Sequence, residues 1–131
     1  IKKGMDYVTE DRTIPYTDLT KPSLPARSYA YCSDTAYNEE IVSIIEGVEL
    51  LYHEATFMHD LKDKAERTKH STSIEAAEIA KKADVGKLVI GHYSSRYRDV
   101  SPLLKEAQSV FPNTVLGVDG KSYPVTRSED R

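Results

Sequence analysis

The chain has 131 residues, 39% of them hydrophobic and 30% charged, with a formal net charge of −3. That length holds one core, and the acidic balance weighs against a nucleic-acid-binding surface spread over the whole segment, though a local basic patch is compatible with it. No apolar run has the length of a membrane-crossing helix and no charged-then-apolar leader opens the sequence. The single cysteine, Cys32, rules out an internal disulfide framework and fits a reducing compartment such as the cytoplasm.

The first residue is Ile1 rather than methionine, which predicts a fragment or a processed terminus. Residues 1–27 hold Pro15, Pro22 and Pro25 among polar neighbours and read as a connecting segment, with a short strand within 5–9 and a turn near Asp11. Residues 28–33 read as an aromatic-bearing strand that runs into Asp34-Thr35. An aspartate there turns the chain, caps the next helix or does chemistry. Residues 38–46 predict a helix with Ile41, Ile44 and Ile45 on one face and Gly47 at its end. Residues 48–52 form the next strand, which discharges into His53-Glu54-Ala55-Thr56.

A polar helical stretch is expected over 59–67, and then Thr72 and Glu75 stand at capping-box spacing. The spacing predicts a helix beginning just after His70, with Ala76, Ile79, Ala80 and Ala83 as a small apolar face and Gly86 beyond its end. His70 then lies beside a helix N-terminus, which favours anions, unless it is only an exposed residue of the cap region. Residues 87–91 are a short apolar strand that empties into the polar loop His92-Tyr93-Ser94-Ser95-Arg96-Tyr97. Ser101 as cap and Pro102 at the first helical position predict another helix, with Leu103, Leu104, Ala107 and Val110 as its stripe and Phe111-Pro112-Asn113 closing it. Residues 114–118 and 122–125 predict a terminal strand pair about a tight turn at Asp119-Gly120, with Pro124 marking an edge. Residues 126–131 are polar and expected to be a disordered tail.

Three successive strands therefore end in a metal-ligating or proton-transferring residue: Asp34, His53 with Glu54, and His92. If the strands are parallel, these residues share one rim at the carboxyl ends, where sheets built from strand-helix-strand units bind ligands.

Four blocks carry a family resemblance: Ser33-Asp34-Thr35, Tyr52-His53-Glu54-Ala55-Thr56-Phe57, His70-Ser71-Thr72, and Gly91-His92-Tyr93-Ser94-Ser95-Arg96-Tyr97. In this order they resemble the C-terminal half of the ribonuclease Z family, tRNA 3′-end endonucleases of the metallo-β-lactamase fold, over residues 28–125. The resemblance implies an α/β fold, the C-terminal half of an αβ/βα sandwich with a mixed sheet flanked by helices. It implies two zinc ions in the intact enzyme, with Asp34 as the bridging aspartate and His92 as the last histidine ligand. His70 matches the residue that gives a proton to the leaving 3′ oxygen, Glu54 the acid that orients it, and His53 is read as structural. Ser95 and Arg96 fall in the loop beside the metals, where Arg96 would meet a phosphate. The implied partners are a precursor tRNA, whose acceptor stem is held by shape and backbone contacts, and a second copy in a homodimer.

One departure is sharp. The family's His-x-His-x-Asp-His run is not in this sequence, whose four histidines all lie at or beyond position 53. Asp34 and His92 alone give two ligands where a stable zinc site needs about four. The expectation is a C-terminal portion that is inactive by itself and holds zinc weakly, with an open sheet face or edge that favours self-association. Two alternatives stay open: a different metallo-β-lactamase-fold phosphodiesterase, and a non-catalytic α/β binding module.

Overall fold

Strands β3 (Tyr29–Cys32), β4 (Leu50–Glu54), β5 (Leu88–Gly91) and β6 (Thr114–Leu116) lie side by side in chain order in the computed structural model, which describes residues 3–127. Every pairing is parallel, with Tyr31 opposite Tyr52, His53 opposite Ile90 and Val89 opposite Val115. The mixed sheet expected from the resemblance is thus, for these four strands, parallel throughout, because each connection crosses back over the sheet instead of turning in a hairpin. The antiparallel pairing is confined to a separate two-stranded ribbon, β1 (Tyr7–Val8) with β2 (Thr13–Ile14), which is followed by the one-turn helix α1 (Tyr16–Leu19). Among the described residues no helix is long and apolar enough to cross a membrane.

Strand alternation sorts the side chains onto two faces. Leu51, Leu88 and Ile90 point to one side and join Ala76, Ala77, Ile79 and Ala80 of helix α3 (Ser73–Lys82), Ala83 just beyond its end, and Leu103 and Ala107 of helix α4 (Ser101–Val110) in the core. The alanines of α3 are wholly buried, and their small side chains let the helix lie close on the sheet. Tyr31 and Tyr52 stand on the opposite face, stacked 4.6 Å apart at 8°. Tyr29 and Tyr31 there remain 54% and 63% exposed, so this face carries no helix among the described residues.

Helix α3 begins as its spacing predicts. Thr72 Oγ1 accepts from the Glu75 N–H at 3.2 Å and the Glu75 carboxylate accepts from the Thr72 N–H at 2.9 Å. Before it, a 3-10 turn (His59–Leu61) leads into α2 (Lys62–Thr68), which ends at Lys69 in the left-handed conformation with φ 61°.

Three expectations are corrected. Residues 38–46 form only a 3-10 turn (Glu39–Ile41) followed by turns, with Val42 and Ile44 bonding three residues back. The β-branched Ile41, Val42, Ile44 and Ile45 lower the helix propensity of this stretch, and Ile44 is 80% exposed, so the three isoleucines do not share a buried face. Ser101 is the first residue of α4 rather than its cap, and its N–H is taken by Asp99 Oδ1 at 2.9 Å. The terminal strand pair is absent among the described residues: β6 stops at Leu116, and the Tyr123 hydroxyl satisfies the freed backbone, accepting from Val118 N–H and donating to the Leu116 carbonyl. Of the expected tail, residues 128–131 lie outside the described residues, while Arg127 Nε reaches the Pro25 carbonyl.

Candidate metal-dependent active site

The parallel register delivers the rim. Asp34 lies two residues beyond β3, Glu54 is the last residue of β4, and His92 comes directly after β5. Neither Asp34 nor His92 continues its strand: their φ values are 51° and 58°, the left-handed region that non-glycine residues seldom enter. Such conformations cost about 1–3 kcal/mol each and persist where the surroundings hold them for a function.

His70 arrives from the other side, behind the left-handed Lys69. The loop after β4 ties the others together through backbone bonds, Thr56 N–H to the Ser71 carbonyl and Ser94 N–H to the Thr56 carbonyl, both 3.0 Å. The result brings ligand-type atoms of Asp34, Glu54, His70 and His92 within 4.8 Å of one another. His92 Nε2 is 3.3 Å and His70 Nδ1 is 3.8 Å from Asp34 Oδ1, and the two imidazole rings are 5.2 Å apart.

Glu54, wholly buried, is the hub. Its Oε1 accepts from His70 Nδ1 at 2.9 Å and from the Thr35 N–H at 2.7 Å. Its Oε2 accepts from the Thr56 hydroxyl at 2.6 Å and the Ser71 N–H at 2.9 Å. Burial by itself would push this carboxyl up, but the bonds from Ser71, Thr56, His70 and Thr35 outweigh it and hold the group below the ordinary glutamate value. Because a carboxylate only accepts, His70 must carry a proton on Nδ1, which leaves its Nε2 on the open side of the pair.

The donors and the supports of the site can be told apart. All four lone-pair directions of Glu54 are in use, so it is a support rather than a metal ligand. Asp34, with a side chain 74% exposed, and His92 at 42% keep donor atoms free and facing each other. A carboxylate oxygen opposite an imidazole nitrogen suits a divalent cation of borderline softness, and these two residues could supply two of the four ligands such a shell needs. The residues present therefore fit part of a metal centre.

His53 is fully buried, with Nδ1 bonded to the Glu54 carbonyl at 2.8 Å and Nε2 without a partner. Burial depresses its pKa, so it is a neutral packing residue on the α3 side of the sheet. Ser95 and Arg96 are exposed, and Arg96 stands over the ring of Phe57 at 5.5 Å. Sequence reasoning alone does not single out Thr56 or the backbone donors of Thr35 and Ser71. The two-residue spacing of Glu54 and Thr56 is a usable signal for the first; backbone donors leave none.

Comparison with known proteins finds relatives that match this chain along most of its length. The chain is 56% identical over 126 residues to ribonuclease Z of Parabacteroides distasonis, covering 95% of this chain and 41% of that protein. To ribonuclease Z of Porphyromonas gingivalis it is 58% identical over 116 residues, covering 88% and 38%. This chain is a ribonuclease Z-like segment. It spans about two fifths of the length of the curated relatives it matches. No protein-family model matches it.

Solved structures give the same fold for the ribonuclease Z-like segment. The metallo-β-lactamase fold protein YhfI from Bacillus subtilis superposes with a TM-score of 0.64 at 30% identity, over 70% of this chain and 37% of that one. A long form RNase Z from yeast does so with a TM-score of 0.51 at 37% identity, over 53% and 9%. The segment has the metallo-β-lactamase-type α/β fold.

Proposed function

We propose that the full-length protein carrying this segment is a zinc-dependent endoribonuclease that removes the 3′ trailer of precursor tRNA. The observation that carries this reading is the Glu54–His70 pair beside Asp34 and His92. A hydrolysis of this kind needs a cation for the phosphate and an acid for the departing 3′ oxygen.

Asp34 and His92 Nε2 are the donors that hold metal, with the remaining ligands supplied outside this chain. Bound there, zinc supplies Lewis-acid charge to the scissile phosphate and makes water a better nucleophile. Glu54 fixes the ring of His70 through Nδ1. His70, so oriented, is the group that passes a proton from Nε2 to the leaving oxygen. Arg96 pairs with a backbone phosphate and Ser95 adds a hydrogen bond nearby. The exposed tyrosine face of the sheet favours association with further protein surface, and the protein works as a cytoplasmic homodimer.

The test is cleavage by the full-length protein. It should release a 3′ trailer from precursor tRNA in a zinc-dependent manner while leaving cyclic nucleotides and small phosphodiesters largely untouched. Preference for the small diesters would favour a different phosphodiesterase of this fold, and inertness toward all of them a binding module.

A further inference from the structure

Thr56 joins the two imidazoles of the site, and its proton can be placed. A threonine hydroxyl has one hydrogen to give and two lone pairs to receive with. Thr56 Oγ1 lies 2.6 Å from Glu54 Oε2 and 3.0 Å from His92 Nδ1. Glu54 already receives backbone N–H groups of Thr35 and Ser71, one on each oxygen, and His70 on Oε1. These three donors around a buried carboxyl select its ionised form, which cannot donate. The Thr56 hydrogen therefore goes to Glu54, and only a lone pair is left for His92. A contact of 3.0 Å to that lone pair is a hydrogen bond only if His92 Nδ1 carries a proton.

We propose that Thr56 is a positioning residue that holds His92 with Nδ1 protonated, so that the Nε2 lone pair is the one aimed at Asp34. One buried carboxylate then orients both imidazoles, His70 directly and His92 through the hydroxyl. Nε2 of His92 sits 3.3 Å from Asp34 Oδ1, so the two electron-rich atoms repel unless a proton or cation lies between them. The arrangement is stored for that cation. Valine in place of Thr56 keeps the branched shape and loses the relay; serine keeps the relay.

The consequence for metal binding rests on reading His92 as a ligand, whereas the proton position does not. The test is long-range proton–nitrogen correlation on the full-length protein with 15N-labelled histidine, stripped of metal, at about pH 8 where an unperturbed imidazole is neutral. His92 should show a protonated Nδ1 in the wild type and in Thr56→Ser. In Thr56→Val the proton should move largely to Nε2, with His70 unchanged. Titration with Zn2+ alone should show affinity about 10–100-fold weaker for Thr56→Val, restored by Thr56→Ser. A wild-type His92 with a bare Nδ1 overturns the proposal even if the valine variant does not fold. So does a valine variant whose His92 keeps its Nδ1 proton. If the nitrogen spectra behave as stated and no precursor tRNA is cut, the nuclease reading fails and the role of Thr56 stands.

Discussion

The ring of Phe57 stands edge-on to His70, 6.3 Å between centroids, and carries two cations: Arg96 at 5.5 Å and Lys64 at 5.7 Å. Phe57 is 5% exposed, so it anchors both side chains against the site at little entropic cost. Positive charge is thereby fixed next to the proposed proton donor, in a chain that is acidic overall.

From this arrangement, Arg96→Ala in the full-length protein should weaken RNA binding and lower the slope of log affinity against log salt by about 0.7–0.9, the loss of one phosphate contact. Lys64→Ala should act in the same direction. The urea midpoint should barely move, since exposed cation–aromatic contacts contribute only about 0.5–1 kcal/mol. An unchanged salt slope in the double variant would remove both residues from the RNA path.

Glu54 makes a different kind of variant. Glu54→Ala strands Thr35 N–H, Ser71 N–H, the Thr56 hydroxyl and His70 Nδ1, each of which now ends on the carboxylate. At about 1–3 kcal/mol per buried unsatisfied group, partly relieved by water, the loss should reach roughly 3–5 kcal/mol. Glu54→Gln keeps the volume but brings its own donors against two of those four, and should cost less. A denaturation series in which alanine costs under about 1 kcal/mol would show that the hub does not hold these loops.

Stability should fall in two steps as pH is lowered. His53 is buried and its folded pKa lies below its ordinary 6.5, chiefly through desolvation. The unfolded chain therefore binds a proton there first, and stability declines as pH drops below about 6.5. Glu54, held below 4.5 by its four donors against the pull of burial, adds a second loss below that value. His53→Gln, which cannot titrate, should flatten the upper step in urea unfolding monitored between about pH 7 and pH 5 and leave the lower one.

How far the sequence carries can be judged at particular residues. Asp34, Glu54 and His92 are legible as strand-end residues because parallel strands put their carboxyl ends on one rim, and Thr72 with Glu75 announces α3 correctly. His70 comes to the cluster through the left-handed Lys69, which no propensity indicates. The helix expected over 38–46 fails because its isoleucine spacing is also satisfied by turns, with one isoleucine left in solvent. The strand expected over 122–125 fails because a tyrosine hydroxyl takes over the ladder's hydrogen bonds. Tertiary partners of this kind are not written in local pattern.

The cap of α3 is worth more than an ordinary cap, because Thr72 Oγ1 also lies 3.0 Å from His59 Nδ1 and is wholly buried. Thr72→Ala should cost about 1–2 kcal/mol, at the upper end for caps. Thr72→Ser should recover most of it. Equal stabilities of the alanine variant and the wild type by thermal unfolding would mean that the helix start is held by its packing alone.

Two glycines beside the site should respond differently to alanine. A Cβ at Gly117 would meet the Ile90 carbonyl oxygen at 2.9 Å and Val89 Cγ1 at 3.3 Å, and the first of these is backbone inside β5. Because Gly117 N–H also bonds that carbonyl at 2.7 Å, relief requires pulling the end of β6 away from β5. Gly117→Ala should therefore cost about 1–3 kcal/mol, the usual range for overpacking. A Cβ at Gly91 would instead overlap the ring of Tyr52, with Cζ at 2.8 Å. That ring is only partly buried and can swing toward solvent, at the expense of its stack on Tyr31. Gly91→Ala should cost less than Gly117→Ala in urea unfolding. The reverse order of stabilities would mean that the tyrosine stack, rather than the β5–β6 pairing, is the rigid part of this edge.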